Sequence, residues 1–157
     1  MSNNLLIIHS APGWLINYGA RKIKEEESGI NCDLFSCATE ENILPRLEFT
    51  PDNFFQLEVD SFRLNNFLGG MHGQIKSNNY SHVLLPFNNE SGLGYESLSL
   101  IAGLCAPTVF TINILLQFEE KNRWKFILDY WKFRGGFQLG YFYDWLVCKL
   151  EGEGLDR

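Results

Sequence analysis

No apolar run in this chain approaches the roughly 20 residues that a membrane-spanning helix requires, and no CxxC pair appears among its four cysteines, Cys32, Cys37, Cys105 and Cys148. The first absence excludes a helical membrane protein, and the second argues against a zinc ribbon or a redox dithiol. The cysteines therefore read as free thiols, with Cys105 on the apolar stripe of a helix. Basic residues are the scarcer charge, 13 against 19 acidic ones, for a net charge of −6. A surface of that sign opposes phosphate-backbone binding, so nucleic acid is excluded as an expected partner. The N-terminus carries neither the basic start nor the long apolar core of a signal peptide, which makes a cytoplasmic protein the expectation.

The nucleotide fingerprints are missing as well. The first turn reads HSAPGW where a dinucleotide-binding domain needs GxGxxG, and the second strand ends in Ser36-Cys37 without an acidic ribose clamp. No phosphate-binding P-loop occurs, and no acidic cluster follows the first strand as in a receiver domain. With His9, His72 and His82 as the only histidines, no Ser-His-Asp arrangement can be argued. No metal site or cofactor is implied.

What is present is an alternation of strands and helices. Leu5 to Ile8 is a short apolar run that ends in the turn His9-Ser10-Ala11-Pro12-Gly13. A helix follows over about Trp14 to Glu27, with Leu15, Gly19 and Ile23 on one face. Cys32 to Cys37 is the second strand, and Thr39 to Leu47 a short helix limited by Pro45. Phe54 to Asp60 is the third, where Phe55, Leu57 and Val59 alternate with polar residues as on a sheet edge. Ser61 opens the next helix, weakened by Gly69, Gly70 and Gly73.

His82 to Phe87, apolar without alternation, reads as a strand covered on both faces. A polar glycine loop, Asn88 to Gly94, leads to a helix with Tyr95, Leu98, Ile101, Ala102 and Cys105 at helical spacing. Thr108 to Ile112 is the fifth strand. The order β-α-β-α-β-α-β-α-β predicts an α/β fold, a single Rossmann-like, doubly wound parallel sheet of five strands ordered 3-2-1-4-5. Residues 1–120 would form that domain and residues 121–157 an aromatic helical extension. In this order the chain reverses between strands one and four, so the turns after them face each other across a switch-point crevice. The expected ligand-binding residues are Ser10, Gly13, Asn88, Asn89, Glu90, Ser91, Gly92, Gly94 and Glu96. His9 is the candidate general base, its competing reading being a hydrogen-bonded strand end.

The stretch NNESGLGYESLSLIAGLCAPTVF, about two dozen residues, resembles the nucleotide-binding half of GT-B-fold glycosyltransferases. The resemblance implies Ser91, Gly92 and Gly94 on a donor diphosphate and Glu90 or Glu96 on a ribose. It also implies a phosphorylated small molecule or nucleotide sugar as partner, and a second subunit, because such enzymes use two domains. The rival expectation is a non-catalytic interaction module.

The tail carries Trp124, Trp131, Tyr141 and Trp145. Its residues read as a helix buried on two sides, as a partner surface for a homodimer or second subunit, or as a membrane-interface anchor. Membrane adsorption is the weakest of these expectations, because the tail is poor in basic residues.

Overall fold

The computed structural model describes residues 4–57 and 64–136. Its strands are β1 (Asn4–Ile8), β2 (Asn31–Ser36), β3 (Phe54–Gln56), β4 (His82–Pro86), β5 (Thr108–Ile112) and β6 (Phe118–Asn122). They form one sheet in the order β3-β2-β1-β4-β5-β6. The first five are parallel in the expected 3-2-1-4-5 order, with β3 at an edge; β6 adds a sixth strand antiparallel to β5. No apolar signal in the sequence marks this last strand: FEEKN is mostly charged, and among the described residues only its edge toward β5 is paired.

The helices are α1 (Gly13–Glu26), α2 (Glu40–Ile43), α3 (Leu64–Asn66), α4 (His72–Ser77) and α5 (Glu96–Cys105), with α6 over residues 123–136. Between α3 and α4 the chain is π-helical over Phe67–Met71. A Cβ added at Gly69, inside this π turn, or at Gly73 in α4 would meet nothing within 4 Å, so neither glycine marks a close packing, and the chain stays helical from residue 64 to residue 77 through the wider turn. Residues 58–63, which hold the far end of the expected third strand and the Ser61 cap, lie outside the described residues.

Alternation along each central strand divides its side chains between two cores. Leu5 and Ile7 of β1 join Leu15, Ile16, Ala20 and Ile23 of α1 on one face. Leu6 and Ile8 join Phe67, Ile75, Leu98 and Ile101 on the other. Both faces are covered by helices, which is why β1 reads as an unbroken apolar run with all four side chains fully buried. Each such side chain contributes about 1.5–3 kcal/mol by leaving water.

At the amino end of the sheet Asp33 is buried, and its carboxylate accepts hydrogen bonds from the Tyr80 hydroxyl, Asn53 at 2.9 Å and Asn78 at 3.3 Å. Burial and then the Asp33 bond push the Tyr80 phenol far above its ordinary range. This polar knot ties β2 to the α4–β4 connection, far from the carboxyl edge where the predicted crevice lies.

Helix α6 departs from expectation. Phe126 alone is buried, while Trp124, Leu128, Trp131 and Phe133 are more than half exposed. Trp124 stacks with the Arg123 guanidinium and Trp131 meets its neighbour Tyr130 edge-on. No cluster of aromatics forms among the described residues, which overturns the proposed self-association through Trp124, Trp131, Tyr141 and Trp145; the last two lie outside the described residues. The physical reason is geometric: α6 approaches α5 along a single line where Gly103 meets Arg123 and Phe126. One line buries one ring, and the others are distributed around the helix.

Candidate functional site

The turn after β1 and the loop after β4 do meet at the carboxyl edge of the sheet. Their link is Tyr95, at the start of α5. Its hydroxyl accepts the Asn88 N–H at 3.1 Å and donates to the Ser10 carbonyl at 3.0 Å. The Ser10 hydroxyl in turn donates to the Pro86 carbonyl at 2.7 Å, holding the first turn against the end of β4. Phe87 packs edge-on to the Tyr95 ring beneath these bonds, with centroids 5.1 Å apart.

His9 faces the other way. Its backbone N–H donates to the Phe35 carbonyl at 2.8 Å, and its ring Nδ1 lies 3.3 Å from the Ser36 hydroxyl, on the β2 side of β1. Burial, and then the positive charge of Arg46, lower its pKa from the ordinary value. The imidazole is therefore neutral at neutral pH, the form a base needs. Gly13 sits so close to the Arg46 carbonyl that an added Cβ would lie 2.8 Å from that oxygen.

The β4–α5 loop satisfies its own backbone. The Gly92 N–H donates to Asn89 Oδ1 at 2.6 Å, that of Leu93 to the Ser91 hydroxyl at 3.4 Å, and that of Gly94 to Glu96 Oε1 at 3.1 Å. The Tyr95 N–H donates to the Gly92 carbonyl at 3.1 Å. Gly92 and Gly94 both have positive φ, +73° and +86°, conformations that glycine adopts without strain. The amides expected to receive an anion are thus engaged inside the loop, and Glu96 places a carboxylate at the start of α5, where a ligand anion would gain from the helix dipole.

The open space lies on the far side of this loop. A cleft of about 300 Å³ runs between it and the β6–α6 segment, lined by Ser91, Gly92 and Glu96 together with Lys121, Lys125 and Asp129. Its apolar walls are Phe87, Leu93, Phe126 and Tyr130. A second cleft of about 220 Å³ adjoins it, where Glu90 and Ser91 meet Thr111, Asn113, Glu119 and Lys121. Lys121 pairs with Glu119, whose carboxyl is held below its ordinary range by the Lys121 hydrogen bond and charge, with Lys125 adding to the effect.

Of the residues expected from sequence, Glu90, Ser91, Gly92 and Glu96 line these clefts. His9, Ser10, Gly13, Asn88, Asn89 and Gly94 line neither; Ser10, Asn88, Asn89 and Gly94 instead shape or brace the loop. Lys121, Lys125 and Asp129 were missed, since only the antiparallel pairing of β6 brings them beside Ser91. His82 Nε2 lies 3.2 Å from a Glu27 carboxylate oxygen, away from this edge. Among the described residues no group of histidine, cysteine and carboxylate side chains is arranged to hold a metal ion.

The chain is an α/β protein of Rossmann-like architecture. Comparison with family models, with curated proteins and with solved structures finds no match for it.

Proposed function

We propose that this Rossmann-like domain binds a small molecule carrying both phosphate and hydroxyl groups in the cleft between the β4–α5 loop and the β6–α6 segment. The observation that carries the reading is the placing of Lys121 and Lys125 beside Ser91, with Glu96 and Asp129 lining the same space. The ammonium groups and the serine hydroxyl suit a phosphate. The carboxylates, as acceptors, suit sugar hydroxyls, and Phe87, Phe126 and Tyr130 supply apolar walls of the kind that bury a ring. The position, outside the carboxyl ends of the strands next to the switch point, is where open α/β sheets bind ligands.

The finer form of the reading, a nucleotide sugar as ligand, rests on the resemblance of residues 88–110 to half of a GT-B glycosyltransferase. In that form the chain holds a donor and a second subunit completes the enzyme. His9 lines neither cleft, so the reading assigns this chain binding and gives His9 a structural role.

The test is a thermal-shift titration with nucleoside diphosphate sugars, sugar phosphates and inorganic phosphate. A ligand at a hundred times its Kd stabilises by about 2.7 kcal/mol. Lys121→Met with Lys125→Met should abolish the response while leaving the unliganded melting temperature nearly unchanged, because a single ion pair open to solvent on one side contributes little. No response to any of these compounds, or an undiminished response in the double variant, removes the cleft from consideration.

A further inference from the structure

The charged side chains that line the larger cleft are Lys121, Lys125, Glu96 and Asp129. Lys121 is already paired with Glu119 of the adjoining cleft. An ammonium has three donors, so Lys121 can still give a hydrogen bond to a phosphate, but its charge is offset by Glu119. What remains is the Lys125 ammonium against the carboxylates of Glu96 and Asp129. Glu96 uses one oxygen to accept the Gly94 N–H at 3.1 Å, leaving the other for a ligand. Asp129, four residues after Lys125 on α6, makes no ion pair or side-chain hydrogen bond among the described residues.

A phosphate monoester brings a charge of about −1.5 to −2 into this setting. Two carboxylates at close range oppose it, on a chain whose net charge is already −6. We propose, resting on the cleft assignment above, that the ligand is a phosphate ester that also carries an ammonium group. Its phosphate lies on Lys121, Lys125 and Ser91, and its ammonium is met by Glu96 and Asp129.

Hydroxyl groups alone do not call for this arrangement. Ser91 and Ser99 offer neutral partners in the same cleft, whereas an ionised carboxylate binds most strongly to a charged donor. The walls agree, because Phe87, Phe126 and Tyr130 line the space and aromatic rings attract a cation over their faces. A volume of about 300 Å³ is at the small end of ligand pockets and suits one ring or short chain with two charged substituents. In the adjoining cleft Glu90 and Glu119 outnumber the shared Lys121, so no second anion is favoured there.

The experiment is calorimetric titration of the full chain at neutral pH with two matched pairs: glucosamine 6-phosphate against glucose 6-phosphate, and phosphoethanolamine against ethyl phosphate. Free glucosamine is a further arm. In at least one pair the amine-bearing member should bind about fivefold tighter or more, as expected when exposed carboxylates gain a charged partner. The pair that shows it tells whether a sugar or a short chain carries the two charges. Asp129→Asn, at an exposed position of α6, should draw the members of that pair together. Adding Glu96→Gln, which keeps an Oε1 to accept the Gly94 N–H, should abolish the preference without lowering the melting temperature. The proposal is overturned if plain phosphate esters bind as tightly as their amine-bearing partners, if the preference survives in the folded double variant, or if free glucosamine binds as tightly as its phosphate. Equal binding within both pairs, abolished by Lys121→Met with Lys125→Met, overturns this inference and leaves the phosphate cleft standing. If no phosphate ester binds, the cleft and this inference fall together.

Discussion

The turn after β1 and the loop after β4 lie side by side at the carboxyl edge of the sheet, the first held chiefly by the body of the protein and the second chiefly by its own side chains, with Tyr95 to Ser10 and Asn113 to Glu90 joining it to its neighbours. His9, Ser10 and Gly13 are fixed by Phe35 and Ser36, by Pro86, and by the close approach of Arg46. The Asn89, Ser91 and Glu96 side chains, in contrast, serve amides of their own loop. A turn bonded mainly to the body of the sheet is a structural corner. A loop that satisfies itself keeps its shape while its outer side remains open to a cleft, which is the property a preformed ligand site requires.

The strongest way to break this contrast is at the glycines. Gly13→Ala should destabilise by about 1–3 kcal/mol, because the new methyl meets a backbone carbonyl that cannot turn aside. Gly94→Ala meets no neighbouring atom and bears only the positive-φ strain, about 1 kcal/mol. Urea unfolding midpoints of the two variants measure the difference; equal losses would mean that the first turn is no more constrained than the second.

The join between the loops is tested by Tyr95→Phe. Removing the hydroxyl leaves the Asn88 N–H and the Ser10 carbonyl without this partner. Since both are near enough to the surface for water to replace it in part, the loss should be about 1 kcal/mol. Hydrogen exchange should quicken at Asn88 more than at Gly92, whose amide is bonded within the loop. Equal acceleration at both would show that the loop depends on Tyr95 and does not hold itself.

The smallest effect concerns His9. Its pKa is lowered in the folded state from an ordinary value of 6.5, by burial first and Arg46 second. As pH falls below about 6.5 the unfolded chain takes up a proton that the folded chain resists, so stability declines on the acid side and is unaffected by His9 above it. His9→Gln should flatten that decline as the pH is taken down through the ordinary value of 6.5, seen in urea midpoints. An unchanged slope would mean that His9 is not held neutral by the corner.

The strand order and the two-sided core were legible because burial on both faces imposes a composition: Leu5 to Ile8 and Val83 to Leu85 are apolar at every position, and helical stripes separate them. That Glu90, Ser91, Gly92 and Glu96 fall at the carboxyl end of a buried strand was legible, because a polar glycine turn after such a strand marks the switch point in any such sheet. Local pattern carries no signal where identity depends on a partner in space. Phe118 to Asn122 has no apolar alternation, and it becomes a strand only because β5 offers an unpaired edge. The aromatic residues of α6 could be counted but not assigned to faces, since exposure follows from the single line of contact at Gly103.

By itself, then, the sequence determined the parallel α/β core and the location of its crossing point, because hydrophobic periodicity is a local property written into consecutive residues. The tertiary structure decided which side of the β4–α5 loop is open and which lysines and carboxylates stand beside it. Those depend on the pairing of β6 and the hydrogen bonds of Asn113 and Tyr95, contacts between residues up to 85 positions apart, and no local pattern encodes such a meeting.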